Sequence, residues 1–213
     1  MKKHSLRLAL LFMSIALIVS PLTTKAETGS QEQCFSQEAC QLKGDLRKLW
    51  TEHVMWTRLY IVSALEGLDD QENVLARLLK NQEDIGNAFK TYYGEATGDK
   101  LTALLKDHIL IAGNVVDAAK RGNQADLEKY NKEWYKNADD IAEFLSKANP
   151  NWPKEELKEM LEMHLALITE DVTARLAKDW DASTVALDKG LNHIIQLADT
   201  LSNGVVKQFP NKF

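Results

Sequence analysis

Three histidines, His53, His108 and His164, stand 55 and 56 residues apart, each in the middle of an apolar stripe with helical spacing. The first stripe is Leu46, Leu49, Trp50, His53, Trp56, Tyr60 and Ile61, at steps that keep its members on one face of a helix. The second is Leu101, Leu104, Leu105, His108, Ile111, Val115 and Val116, and the third is Leu157, Met160, Leu161, His164, Leu167, Ile168 and Val172. A further block follows each stripe. Lys80-Asn81-Gln82-Glu83-Asp84-Ile85 aligns with Lys136-Asn137-Ala138-Asp139-Asp140-Ile141, and more loosely with Lys189 to Ile194, where His193 takes the aspartate's place. Self-similarity at this period constrains the chain to a helical hairpin used three times.

Two antiparallel helices joined by a tight turn bring together residues equidistant from that turn. The midpoint of His53 and Asp84 falls in Gly67-Leu68-Asp69-Asp70, and that of His108 and Asp140 beside Gly122-Asn123-Gln124. For His164 and His193 it falls at the start of Lys178-Asp179-Trp180-Asp181. Each hairpin is therefore expected to hold its histidine level with an aspartate, or in the third with another histidine.

Residues 1–26 read as a signal peptide. Lys2, Lys3 and Arg7 precede an apolar run from Leu8 to Val19, which is short for a bilayer span, and Thr24-Lys25-Ala26 offers small residues where a signal peptidase reads. Cleavage is expected before Glu27, giving a secreted or cell-envelope protein with no membrane span; retention of the segment as an anchor is the alternative. Lys2, Lys3, Arg7 and Lys25 are four of the 26 basic residues, so 22 remain against 31 acidic, a mature net charge of -9. No clustered basic face stands out, which argues against a nucleic-acid partner. An unknown protein or small ligand is the partner expected.

Residues 27–44 are polar and expected to be loose, with both cysteines, Cys34 and Cys40. In an oxidising compartment these two could close a small disulfide loop. A continuous helix would hold their Cα atoms about 9 Å apart, so the bond requires a turn between them. A redox or soft-metal pair is the alternative, although the spacing is not Cys-x-x-Cys.

From Asp45 to the end, residues 45–213 read as one all-α domain of about six helices. The helices are expected at about Asp45–Glu66, Asp70–Thr91, Asp99–Arg121, Asn123–Lys147, Pro153–Lys178 and from about Asp181 onward. Gly94 and Gly98 are expected to break the chain before the third, and Gly190 or Gly204 to bend or end the sixth. The tail, with Phe209 and Phe213, is apolar enough to dock on the body. No alternating apolar run argues for a strand. The architecture expected is a compact bundle of three antiparallel hairpins.

If the odd-numbered helices pack around a common axis, His53, His108 and His164 meet at one level. Three neutral imidazoles facing inward suit zinc, copper, nickel or iron, with His193 or water as a fourth ligand and Asp84 and Asp140 as ligands or orienting partners. The structural alternative is a satisfied polar pair in the core, since an unpaired buried polar group costs about 1–3 kcal/mol. A third alternative is an envelope enzyme with a His-Asp pair as general base. Glu-x-x-His, Cys-x-x-Cys-His, Gly-x-Ser-x-Gly and phosphate-cradling glycine loops do not occur. Tyr92-Tyr93-Gly94 and Asn151-Trp152-Pro153 are expected on connections at one end of the hairpins, as a candidate surface contact site.

The runs Asn81-Gln82-Glu83-Asp84-Ile85-Gly86, Tyr92-Tyr93-Gly94 and Leu104-Leu105-Lys106-Asp107-His108-Ile109 resemble those of a family of uncharacterised helical proteins from Bacillus-like bacteria. Phe144-Leu145-Ser146 and Asn149-Pro150-Asn151-Trp152 add to the likeness. The resemblance implies a bacterial envelope setting and brings no activity or site residue with it. The function expected is that of an exported, non-enzymatic protein that binds a ligand or partner, with a transition metal at the histidine level as its sharpest form.

Overall fold

The structure, a computed structural model, describes residues 36–213. The signal peptide expected at 1–26, Cys34 and the rest of 1–35 lie outside the described residues. Six helices follow in order: α1 (Gln37–Glu66), α2 (Gln71–Tyr93), α3 (Glu95–Arg121), α4 (Gln124–Ala148), α5 (Lys154–Leu176) and α6 (Trp180–Gln208). A short 3-10 turn, Pro210–Lys212, ends the chain. The bundle is all-α, and none of these helices is long and apolar enough to cross a membrane.

Each helix packs against the next, α6 returns to α1, and α1 also touches α3 across the interior. The junction of α4 with α5 is the least extensive of the sequential contacts. Two of the turns close on glycine: Gly67 and Gly122 take φ of 69° and 65°, the left-handed conformation that lets a helix end within one residue. Asn123 and Asp179 then cap α4 and α6, their side-chain oxygens accepting the Asp126 and Ala182 amides.

Three boundaries differ from the sequence reading. Residues 37–44 are the first two turns of α1, not a loose segment, because Ser36 caps the Ala39 amide at 3.0 Å and Ala39 and Leu42 extend the buried stripe above Leu46. Gly98 lies inside α3, where it serves close packing. A Cβ on Gly86 or Gly98 would come within 2.7 Å of the other's carbonyl oxygen, so the pair lets α2 and α3 approach. The helix α6 runs straight through Gly190 and Gly204, and a Cβ on Gly204 would stand 1.9 Å from the Trp152 indole nitrogen.

The candidate contact site at the hairpin ends is partly interior: Gly94, Asn151 and Pro153 are exposed, Tyr92 and Tyr93 are half-buried, and Trp152 is buried. Trp152 is 1 % exposed, donates its indole N–H to the Thr200 carbonyl and packs beside Phe89 and Tyr93. Asn149 is fully buried and donates to the Tyr93 hydroxyl, which donates in turn to Gln208. Burial pushes the Tyr93 phenol up to about 12. Phe209 and Phe213 cover Tyr92, so this end is where the C-terminal tail docks.

The glycine contacts give a paired prediction. Gly204→Ala should destabilise the fold by about 1–3 kcal/mol through overpacking against Trp152. Gly44→Ala, whose added Cβ meets nothing within 4 Å, should stabilise it by about 0.5–1 kcal/mol through helix propensity. Urea unfolding of the two variants checks the opposite signs.

Candidate functional site

The helices α1, α3 and α5 bring His53, His108 and His164 together at the centre of the bundle, 2 %, 4 % and 3 % exposed. The His53 and His164 ring centroids are 5.4 Å apart, and those of His108 and His164 6.4 Å. The three indeed meet at one level. Their neighbours on α2 and α4 are amides and an indole rather than carboxylates.

Asn137 settles the second hairpin. Its amide nitrogen donates to the Leu104 carbonyl at 3.1 Å, so its oxygen accepts from His108 Nδ1–H at 2.7 Å. The Trp134 indole can only donate, and it does so to His108 Nε2 at 3.1 Å. Both His108 nitrogens are therefore satisfied, with the proton on Nδ1.

In the first hairpin, Asn81 donates to the Leu49 carbonyl at 3.0 Å and accepts from the Gln82 amide nitrogen at 3.1 Å. That nitrogen also donates to the Leu78 carbonyl at 2.8 Å, which fixes the orientation of the Gln82 amide. It lies 3.2 Å from His53 Nδ1 and shares its two protons among these three acceptors, so that ring nitrogen faces a donor and its proton is assigned to Nε2. Nε2 of His53 points at Nε2 of His164 across 3.4 Å. The His164 proton is then on Nδ1, which has no hydrogen-bond partner among the described residues.

Set side by side, the hairpins repeat one clamp. Asn81, Asn137 and His193 donate to the carbonyls of Leu49, Leu104 and Met160, each four residues before the histidine of its hairpin. Those carbonyls already receive the histidine's own backbone N–H, and the clamp uses the second lone pair. Sequence reasoning passed over Asn81 and Asn137, although they and His193 are spaced by 56 residues.

The aspartates are elsewhere. Asp84 pairs with Lys80 at 2.9 Å, and Asp140 with Lys136 at 2.7 Å, both on outer helix faces. Asp84 is two residues beyond Gln82, about 200° around the helix and off the inward face; Asp140, three beyond Asn137, is turned by only about 60°, and its carboxylate takes Lys136 instead. A carboxylate also gains little by leaving water for a neutral partner. The expected His-Asp level is therefore corrected to a His-amide level, and the general-base pairs it offered do not form.

The metal expectation meets the same geometry. The His108 Nε2 lone pair is taken by Trp134, His53 Nε2 carries a proton, and His193 is committed to Met160. Among the described residues, no three His, Cys, Asp or Glu side chains are grouped to hold a metal ion.

All three imidazoles are held neutral. Burial pushes His53 down to about 3, with His108 adding repulsion, and pushes His108 down to about 4 against the pull of its Asn137 bond. Burial, then His53, His108 and His193, lowers His164 far below the ordinary histidine range.

A second buried cluster had no signal in the sequence pattern. Arg58 on α1 binds Asp171 on α5 and Ser183 on α6, and the Ser183 hydroxyl donates to Asp171 at 2.8 Å. It ties three helices below the histidine level.

A concavity on the outer face lies elsewhere still. A groove of about 700 Å3 runs along α4, α5 and α6, floored by Ala166, Ala174, Ala182 and Val185 beside Tyr135. Behind it, a cavity of about 80 Å3 lies among Val115, Val116, Trp134, Ile168 and Val172, and Thr169 and Thr173 line both. No family model matches the chain, and neither a curated protein nor a solved structure is found similar to it.

The amide assignment predicts a contrast. Asn137→Leu strips His108 Nδ1–H of its acceptor and should cost about 1–3 kcal/mol. Asp140→Ala removes an exposed i,i+4 pair and should change stability by about 0.5 kcal/mol or less. Chemical denaturation of both variants at pH 7 measures the difference.

Proposed function

We propose that the chain is an exported, non-enzymatic binding domain of a bacterial envelope, and that its ligand is a small, neutral, mostly apolar molecule held in the α4–α5–α6 groove. The observation that carries this reading is that the groove and an apolar cavity share part of their wall, Thr169 and Thr173 lining both. Ligand sites are typically apolar clefts of about 300–1,000 Å3 with a few polar groups, and the groove fits that description. On the rim, Lys189 pairs with Glu170 at 3.4 Å, and the Asp179 carboxylate caps the Ala182 amide at the start of α6. A neutral ligand is the one such a rim leaves undisturbed. The inner cavity suits a ring or an alkyl branch rather than a peptide backbone, whose polar groups would go unpaired there. None of the three buried histidines lines the groove, and the reading assigns them to support of the fold.

Titration calorimetry with 1-octanol and with naphthalene tests the reading. Saturable binding is expected, weakened about tenfold or more by Thr173→Phe, which adds bulk to the wall that groove and cavity share. A folded wild-type protein that binds neither probe, or a folded Thr173→Phe variant that binds both as before, would contradict it.

Export and the cysteine pair belong to the same proposal. Helix α1 begins at Gln37 and carries Cys40 in its first turn, and the proposal pairs that thiol with Cys34. Protein recovered from the culture medium or envelope should begin at Glu27, and its unreduced mass should be lower by two hydrogens. A chain that retains residues 1–26, or one with both thiols free, would contradict the respective part.

A further inference from the structure

We propose that the histidine level is an acid-triggered latch: three imidazoles from α1, α3 and α5, sealed together without a carboxylate partner, hold the bundle closed while uncharged and open it once protonated. The argument starts from what faces them. Partners from α2 are Asn81 and Gln82, and from α4 Trp134 and Asn137, none of which can carry a compensating negative charge. On α1, Trp50 lies beside His53 with its rings 5.6 Å apart, and α6 contributes His193, a further potential cation. Asp84 and Asp140 face outward onto lysines, and the buried carboxylate of Asp171 is committed to Arg58 and Ser183.

A proton on any of the three therefore creates an unpaired cation in a dry core. A second proton must also overcome the first across ring separations of 5.4–6.4 Å. The closed bundle resists protonation, whereas an opened chain exposes each imidazole to water, where it titrates near 6.5. Because the closed-state values are lowered, the stability these groups contribute is complete above pH 6.5 and is lost as pH falls toward 4. At pH 5 each imidazole shifts the closed-to-open ratio about thirtyfold, and three together by a factor on the order of 10^4. The transition is steep for the same reason: the sites are released together.

The test compares the wild type with the double variant His53→Leu, His164→Leu. Those two rings bond each other, so replacing both leaves no new unpaired partner between them, and the Gln82 amide keeps Leu78 and Asn81. Near-ultraviolet circular dichroism followed through an acid titration should show the opening midpoint fall by about one pH unit or more in the variant. The proton uptake that separates the two proteins at the transition should be about two. An unchanged midpoint and steepness in a folded variant would overturn the proposal. Should the variant fail to fold at pH 7, histidine ring signals followed by NMR in the wild type decide the matter. The proposal expects the three to stay neutral until they collapse together at the opening, and titration of any of them near pH 6.5 within the closed protein would overturn it.

Discussion

An imidazole has two polar edges on opposite sides of one ring, and placing three such rings inside a dry helical bundle fixes much of what surrounds them. Each nitrogen needs a donor or an acceptor of the right kind, at the right height, on a neighbouring helix. Asn137 meets it with one side chain that bonds both the His108 ring and the carbonyl four residues before it, whereas in the first hairpin Asn81 takes the Leu49 carbonyl and Gln82 meets the His53 ring. His108 is fully satisfied. His53 and His164 share their bond, leaving one N–H of His164 without a partner among the described residues. An arrangement with so many fixed partners has few alternative registers, and it is bought with sensitivity to charge.

Much of this was legible in the sequence because helical periodicity and hairpin symmetry act over long, regular segments. The stripes around His53, His108 and His164 placed the histidines on inward faces, and the turn midpoints placed their partners within one turn of the correct height. Midpoint arithmetic has no angular resolution, however. The step from Gln82 to Asp84 is two residues, about 200° around the helix, and it separates the core from the solvent. Chemistry rather than symmetry would have chosen correctly, because an amide can donate and accept within the core while a carboxylate favours water and a lysine.

The other departures have similar local causes. Gly98 and Gly204 read as breakers, but a glycine inside a helix also marks close approach, of α2 to α3 in one case and of the Trp152 indole to α6 in the other. Trp152 and Tyr93 looked like surface aromatics because they sit near connections, whereas the tail beyond Gln208 covers that end. The Arg58–Asp171–Ser183 cluster joins residues more than 100 positions apart and leaves no local pattern to read. The groove along α4, α5 and α6 likewise depends on how far apart two helices settle, and it lies at the thinnest junction of the ring.

The claim on which the rest depends is that three uncharged imidazoles occupy defined tautomers in the core. Long-range proton–nitrogen correlation NMR of the protein labelled with 15N-histidine, recorded at pH 7, reads the protonated nitrogen of each ring directly. The account predicts neutral rings throughout, with the proton on Nδ1 of His108, on Nε2 of His53 and on Nδ1 of His164. An imidazolium at any of the three positions, or a His108 protonated at Nε2, would contradict it.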